Sequence, residues 1–342
     1  MAIEHNITHS QMFSSEFEDI VATGVTASTM PFSIVFDGIT IFSSSFVPDS
    51  KGVVRIYDVS SLLKPYIKDV FADFTFRISG QDMPVRVFSS NAPVAENARL
   101  FLSSFFLSSA MSKKITALNR YEVLSFYALE SCDVTVQALY FQDELIVKNF
   151  ELLSASEVVV NDVTTIDVSP RLFEDYSMGE LISYTVIAGR RRYTYEIHNG
   201  LQSAEPAVIF KNNFGVWETM YLVGTRESST EMTRSLAYIN GRYTLYHLDE
   251  QQLYKAKTGA LLGGLLPIAQ DLLRSRSIFL LNSRGEATDE IVITDEDDKF
   301  TNDDNELPVF TITYRRSRRT SSLVDVIRPP KLFDKTFDKT FD

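Results

Sequence analysis

The chain is short of the residues from which reactive sites are usually built. Among 342 residues there is one cysteine, Cys132, and four histidines, His5, His9, His198 and His247. A single cysteine excludes an intrachain disulfide and leaves too few thiolates for a structural zinc cage. Flanked by Leu129 and Val134, Cys132 is expected as a small buried residue. His5 and His9 would share one side of a helix, but no glutamate follows His5 as a metalloprotease helix requires. They are expected as polar residues on a loose N-terminal arm, and His198, ahead of Asn199-Gly200, as a turn residue. Basic charge is also in deficit: 33 Lys and Arg against 45 Asp and Glu leave a formal net charge of −12. A non-specific nucleic-acid binder needs a basic face, so nucleic acid is not an expected partner. No apolar run approaches the ~20 residues of a bilayer span, and Gly263, Gly264 and Pro267 interrupt the longest, from Gly259 to Ala269. Membrane insertion is therefore not expected. Residues 1–15 lack a basic n-region and an apolar core, so no secretory signal is expected and synthesis is placed in a cytoplasm.

Catalytic motifs are missing as well. There is no Gly-x-Ser-x-Gly nucleophile elbow and no phosphate-binding glycine loop. No carboxylate pair stands in a context that raises one pKa. We therefore expect a protein that is not an enzyme, with no catalytic, cofactor-binding or metal-binding residues.

What the chain has in quantity is strand-forming sequence. Phe (25) and Tyr (15) stand among many Val, Ile, Thr and Ser, a mix suited to pleated, half-buried surfaces. Phe32 to Phe36 and Ile39 to Phe42 flank Asp37-Gly38, a pair that favours the positive φ of a tight hairpin turn. Phe74, Phe76 and Ile78 alternate with polar residues, the period of a strand with one buried face. Asn240-Gly241 marks a second hairpin between Leu236 and Tyr246. Ser60 to Lys68 reads as a helical turn capped by Ser60 or Ser61, and Pro267 to Ser275 as a short helix burying Ile268, Leu272 and Leu273.

An internal repeat at an offset of 109 pairs Asp58-Val59-Ser60 with Asp167-Val168-Ser169, and Ile78 and Gly80 with Ile187 and Gly189. The same offset pairs Ala98 to Phe101 with Ala207 to Phe210 and Ser103-Ser104-Phe105 with Asn212-Asn213-Phe214. Such a period is the size of a sandwich domain of about seven strands. The expected organisation is mainly β. It comprises a flexible arm (1–15), a β-sandwich domain (16–145), a second that repeats it (146–250), a C-terminal β extension with a short helix (251–328) and an extended tail (329–342).

That tail repeats Phe-Asp-Lys-Thr, and Phe333, Phe337 and Phe341 are candidate docking anchors. Trp217, the single tryptophan, is a candidate ligand contact, with a core anchor the favoured reading. The acidic stretch from Asp295 to Glu306 has the ligand spacing of a calcium loop at Asp297, Asp303 and Glu306. Lys299 and Phe300, however, stand where a ligand and a glycine are needed, so a solvated loop is expected. Arg190-Arg191-Arg192 follows Ala188-Gly189 at an expected hairpin turn; this run and Arg315-Arg316 are expected to meet acidic loops of the same or another subunit.

Three segments carry a resemblance. They are Gly38-Ile39-Thr40-Ile41-Phe42 through Pro48-Asp49 to Ser60-Ser61-Leu62-Leu63; Asn213-Phe214-Gly215 with Trp217-Glu218; and Leu272-Leu273-Arg274-Ser275 leading to Ile278-Phe279-Leu280-Leu281 with the terminal repeats. Over residues 30–342 the chain resembles uncharacterised structural proteins of tailed bacteriophages and prophages of Bacteroidetes hosts. The resemblance implies a virion component, of the tail or its distal end, partnered by other copies of itself and by neighbouring virion proteins. A carbohydrate- or receptor-binding β-sandwich module is the alternative, and a β-sandwich hydrolase a third reading.

Overall fold

Alternation of buried and exposed side chains governs most strands of the first two parts, so the chain pairs into sheets rather than coiling. The computed structural model describes residues 3–90, 97–198, 206–262, 264–282, 284–297 and 307–318. Over these residues the chain is mainly β, in several sheets, with short helices between them.

The first part contains β1 (Glu4–His5), β2 (Gln11–Phe13), β3 (Asp19–Thr23), β4 (Met30–Phe36), β5 (Ile39–Phe46), β6 (Val54–Tyr57), α1 (Val59–Leu63), β7 (Phe71–Ile78) and β8 (Gln81–Phe88). Five strands form one sheet in the order β2-β8-β7-β4-β5, and β1-β3-β6 form a second. Both sheets turn apolar residues into one core, in which Ile20 and Ile56 of the smaller sheet join Phe32, Ile34 and Phe76 of the larger. The turn between β4 and β5 is Asp37-Gly38 with φ of 48° and 75°, the two positive values a two-residue hairpin turn requires.

The second part repeats this order. Its strands are β9 (Lys113–Thr116), β10 (Val123–Tyr127), β11 (Val134–Phe141), β12 (Leu145–Leu153), β13 (Val163–Asp167), β14 (Glu180–Ala188) and β15 (Arg191–Ile197). The five-stranded sheet runs β9-β15-β14-β11-β12, and β10 pairs with β13. Even the one parallel junction recurs: β2 lies parallel to β8, and β9 parallel to β15. Gln11 opposite Arg86 in the first part corresponds to Ile115 opposite Glu196 in the second, offsets of 104 and 110 residues.

The offset is therefore not constant, and at the hairpins it is 110. Ile78 faces Gln81 across its turn, and Ala188 faces Arg191. Ile78 and Ala188 are both buried, whereas Ile187, which a 109-residue offset would match to Ile78, is on the opposite face of its strand. A slip of one residue moves a side chain through the sheet. The matches of 98–105 with 207–214 do not hold, because Ala98–Ser104 is a helix, α2, and Ala207–Lys211 is a strand, β16.

The third part is one seven-stranded sheet, β17-β16-β20-β21-β22-β19-β18, with a helix packed on it. Its remaining elements are β17 (Trp217–Tyr221), β18 (Arg226–Ile239), β19 (Arg242–Lys257), α3 (Leu265–Arg274), β20 (Ile278–Leu281), β21 (Ala287–Asp297) and β22 (Thr311–Arg316). Helix α3 buries Ile268, Ala269 and Leu272, with Leu273 half-buried, and takes Pro267 into its first turn, where a missing N–H leaves no hydrogen bond unmade.

Several expected boundaries are corrected. Position 145/146 lies at the base of the β11–β12 turn, inside one hairpin, and 250/251 lies within β19. Residues 207–250 share their sheet with 251–316 rather than repeating the first part. The N-terminal stretch is no loose arm, because β2 joins a sheet and Phe13 is fully buried. His5 is in a strand, so the helical pairing with His9 does not arise. Residue 58, not Ser60 or Ser61, precedes the first turn of α1. Cys132 is half-buried rather than buried, packed beside the second core. The tail residues Phe333, Phe337 and Phe341 and the acidic residues 298–306 lie outside the described residues.

The three parts meet on an aromatic junction. Phe13 and Phe88 come from the first part, Tyr127 from the second, Phe214 from the third, and Phe101 from α2 between them. The rings are in edge and stacked contact, with centroids 5.4 Å apart for Phe13–Phe101, 4.8 Å for Phe88–Tyr127 and 5.3 Å for Phe101–Phe214. Helix α2 is held at both ends. Glu16 Oε1 accepts the Ala98 N–H at 3.2 Å, and the guanidinium of Arg191 donates to the Leu102 carbonyl, a charge of each sign at the matching end of the helix dipole. Arg191 therefore meets helix and Tyr127 carbonyls rather than the acidic loop expected for its basic run.

Candidate assembly surface

Two places concentrate chemistry that the cores do not explain: a buried polar seam between the second and third parts, and a long hairpin that leaves the third sheet.

The seam is built around Glu122 and Glu218. Lys114 and Glu122 are 3% and 0% exposed, with Nζ 2.7 Å from Oε2. A buried pair of this kind is tolerable only if its remaining groups are satisfied. Here Lys114 Nζ also donates to the Thr219 carbonyl at 2.6 Å, while Thr116 and Thr219 hydroxyls donate to the Glu122 carboxylate at 2.7 and 2.6 Å. Glu218 accepts from Ser108 Oγ at 2.6 Å and from Asn212 Nδ2 at 2.7 Å. Burial raises its pKa, against the opposing influence of Lys114 and these two donors. Ser109 and the Asn213 N–H both donate to Asp271 of α3. These carboxylates are fully engaged in joining β9, β10, β17 and α3, and none faces an open cleft; the seam ties the two parts together. Sequence reasoning passed over it because its members lie about a hundred residues apart.

The hairpin is β18–β19. Strand β19 pairs with β22 only from Tyr254 to Lys257, so among the described residues the ribbon has no third strand between Ser229 and Leu253. At roughly 3.3 Å per residue it extends about 40 Å beyond the sheet. Its tip is Asn240-Gly241, with φ of 51° and 76°. Pairing places Tyr238 opposite Tyr243 and Leu236 opposite Leu245; after a bulge at Tyr246, Arg234 lies opposite Leu248 and Met232 opposite Glu250. Directly opposed residues share a face. One face therefore carries Met232, Leu236, Tyr238, Tyr243, Leu245 and Leu248, all exposed, with Tyr238 at 66% and Tyr243 at 76%, together with Arg234 and, toward the base, Glu250. The other carries Thr233, Ser235, Ala237, Thr244 and Asp249, with Ile239 near the tip. The tyrosine rings are 5.0 Å apart in a tilted pair. From residue 232 to residue 248 there are two arginines, Arg234 and Arg242, and no Asp or Glu, in a chain of net charge −12.

Trp217 begins β17 and is half-buried. Phe279 meets its ring edge-on at 5.9 Å, and Lys211 Nζ is 5.6 Å from its centroid. The predicted Asn240-Gly241 hairpin is present, but its strands run far beyond the predicted 236–246. A shallow groove at the hairpin's base is lined by Arg226, Tyr254, Leu280, Thr288, Tyr314 and Arg316; in it Tyr254 and Tyr314 stack at 5.4 Å.

Among the described residues no group of three or more His, Cys, Asp or Glu is placed to hold a metal ion, and no helix is long and apolar enough to cross a membrane. No protein-family model matches the chain, and no curated protein matches it.

Proposed function

We propose that this chain is a structural subunit of a bacteriophage virion, of the tail or its distal end, acting through subunit–subunit contacts. The supporting observation is the β18–β19 hairpin, whose apolar face is solvent-exposed along its length. An isolated two-stranded ribbon is marginal in water, and a contiguous exposed apolar face of a few hundred Å² marks an interaction site. The resemblance to phage structural proteins supplies the setting.

In this reading the first two parts are tandem copies of one β-sandwich, duplicated and then diverged in loop length, and they form the rigid body from which the hairpin projects. Their matching strand order and shared parallel junction support the duplication. The terminal Phe-Asp-Lys-Thr repeats would dock on a neighbouring virion protein. Mass spectrometry of purified virions after a high-salt wash tests the assignment: the chain is expected at the stoichiometry of a structural component, and its absence from washed particles overturns it.

A carbohydrate-binding function is the second reading, because Tyr238, Tyr243 and Tyr246 are exposed at the hairpin tip as a glycan platform requires. Binding on a glycan array that is lost in Tyr243→Ala would favour it.

A further inference from the structure

We infer that the apolar face of the hairpin seats on the outer face of the second five-stranded sheet of another copy of this chain, a head-to-tail contact. The inference rests on the assembly reading above and names the partner.

The receiving surface is at the β12 edge of that sheet. Residues of β11 and β12 that turn away from the core should be polar on a solvated sheet, yet at this end they are Phe141, Leu145 and Val147, all exposed, with Leu145 at 64%. Phe141 is directly opposite Leu145, and Leu139 opposite Val147, so the four side chains form one patch; Ile182 of β14, also exposed, adjoins it. The turn that closes this hairpin contains Asp143 and Glu144. An apolar patch with an acidic rim thus exists on a sheet face, where a ribbon packs by sheet-on-sheet contact about 10 Å apart.

The hairpin presents the complement. Its apolar face carries Arg234 among the leucines, Arg242 flanks the tip, and the distal segment lacks acid. In a chain this acidic, a basic apolar ribbon and an acidic apolar patch are matched in both terms that set interface choice, apolar area and sign of charge. Both surfaces are exposed within one copy, so neither covers the other intramolecularly. A symmetric contact of two hairpins is disfavoured, because it would bring the Arg234 side chains of both copies into one apolar interface. A head-to-tail contact has no such conflict, and it propagates into a ring or a helical array.

The test is made on the full chain by sedimentation velocity across a concentration series. Wild type is expected to associate beyond a dimer. A hairpin variant, Leu236→Glu with Tyr243→Glu, and a patch variant, Leu145→Glu with Val147→Glu, are each expected to sediment as monomers with unchanged circular dichroism. Mixed together they are expected to form a one-to-one dimer and nothing larger, since each retains the half that the other has lost. Because these substitutions could perturb the strands, the charges provide a second arm. Arg234→Glu with Arg242→Glu is expected to weaken association about tenfold or more, and Asp143→Lys with Glu144→Lys in the mixed partner to restore it.

A wild-type chain that stays monomeric at high concentration overturns the inference. So does loss of association in the hairpin variant but not in the patch variant. Either result leaves the virion assignment to stand on the mass spectrometry of washed particles, and absence from those particles leaves the self-contact to stand on sedimentation.

Discussion

The two five-stranded sheets share an order of strands and differ in what fills them. The first core is built on phenylalanine: Phe17, Phe32, Phe74 and Phe76 are buried, with Phe17 stacked on Phe76 at 5.0 Å. The second is built on tyrosine: Tyr140, Tyr184, Tyr193 and Tyr195 are all buried. By strand register Tyr184 occupies the place of Phe74, and Tyr195 that of Val85. A buried hydroxyl needs a partner. Tyr184 donates to the Val168 carbonyl at 2.6 Å, Tyr140 to the Phe173 carbonyl, and Tyr193 shares a hydrogen bond with Ser108, which in turn donates to Glu218. Burial pushes the pKa of Tyr184, Tyr193 and Tyr195 well above the ordinary phenol value, so these hydroxyls stay protonated. The first core is apolar; the second is wired through the Tyr193 hydroxyl into the seam that binds the third part. The same topology serves once as an apolar unit and once as a hub.

Breaking the seam should have the largest effect. Lys114→Met leaves Glu122 buried without its cation and should destabilise the chain by about 3–5 kcal/mol in urea unfolding. The exposed pair Arg77–Asp82, at 2.8 Å in the first sheet, provides the contrast, and Arg77→Ala should cost no more than about 1 kcal/mol. If the two losses were equal, the seam would not be the special connection described above.

Phe76→Ala opens a cavity in the phenylalanine core and should destabilise by about 3–5 kcal/mol. Its cost should remain in the first part. Hydrogen exchange should quicken across β4, β7 and β8 while the amides of β14 and β15 keep their protection. Tyr184→Phe should cost about 1–3 kcal/mol, because the Val168 carbonyl loses its donor in a buried site. Phe74→Tyr, the reverse change at the matching position, adds a hydroxyl to an apolar core and should also destabilise. Stability gained from Phe74→Tyr in thermal melts would end the distinction between the two cores.

How far this was legible from the sequence differs from element to element, for physical reasons. Asp37-Gly38 and Asn240-Gly241 announce their turns because two positive φ values are a local demand, and both turns are present. Alternation at Phe74, Phe76 and Ile78 marks a strand for the same reason: burial on one face is written into neighbouring residues. The shared strand order could be suspected but not aligned, because the offset between matching positions changes from 104 to 110 and a one-residue error reverses the face. The anchoring of Phe13 was hidden, since its partners Phe101 and Phe214 are remote in sequence. Strand β18 was underestimated because Glu227 to Thr233 is nearly all polar, as suits a ribbon exposed on both faces. The seam was illegible, with Lys114, Glu122 and Thr219 brought together only by tertiary packing.

The smallest expected effect is one of pH, and it separates the hub from the apolar unit without removing a contact by force. Glu218 has a folded pKa above its ordinary value of 4.5, chiefly through burial. Between 4.5 and that higher value the folded chain binds more protons than the unfolded chain. Stability from this group is therefore greatest at low pH and declines as pH rises through the interval. Lys114, Ser108 and Asn212 oppose the shift and the Asp271 charge adds to it, so the decline reports on the whole seam. Glu16, half-buried at the start of α2 and also raised, contributes a slope of the same sign. Urea midpoints measured from pH 4 to 8 should consequently show a shallower decline in Glu218→Gln than in wild type, with the remainder assigned to Glu16 by Glu16→Gln. An unchanged profile in Glu218→Gln would mean that the carboxylate is as well solvated in the fold as in the unfolded chain, and the second sheet would lose its standing as the polar hub.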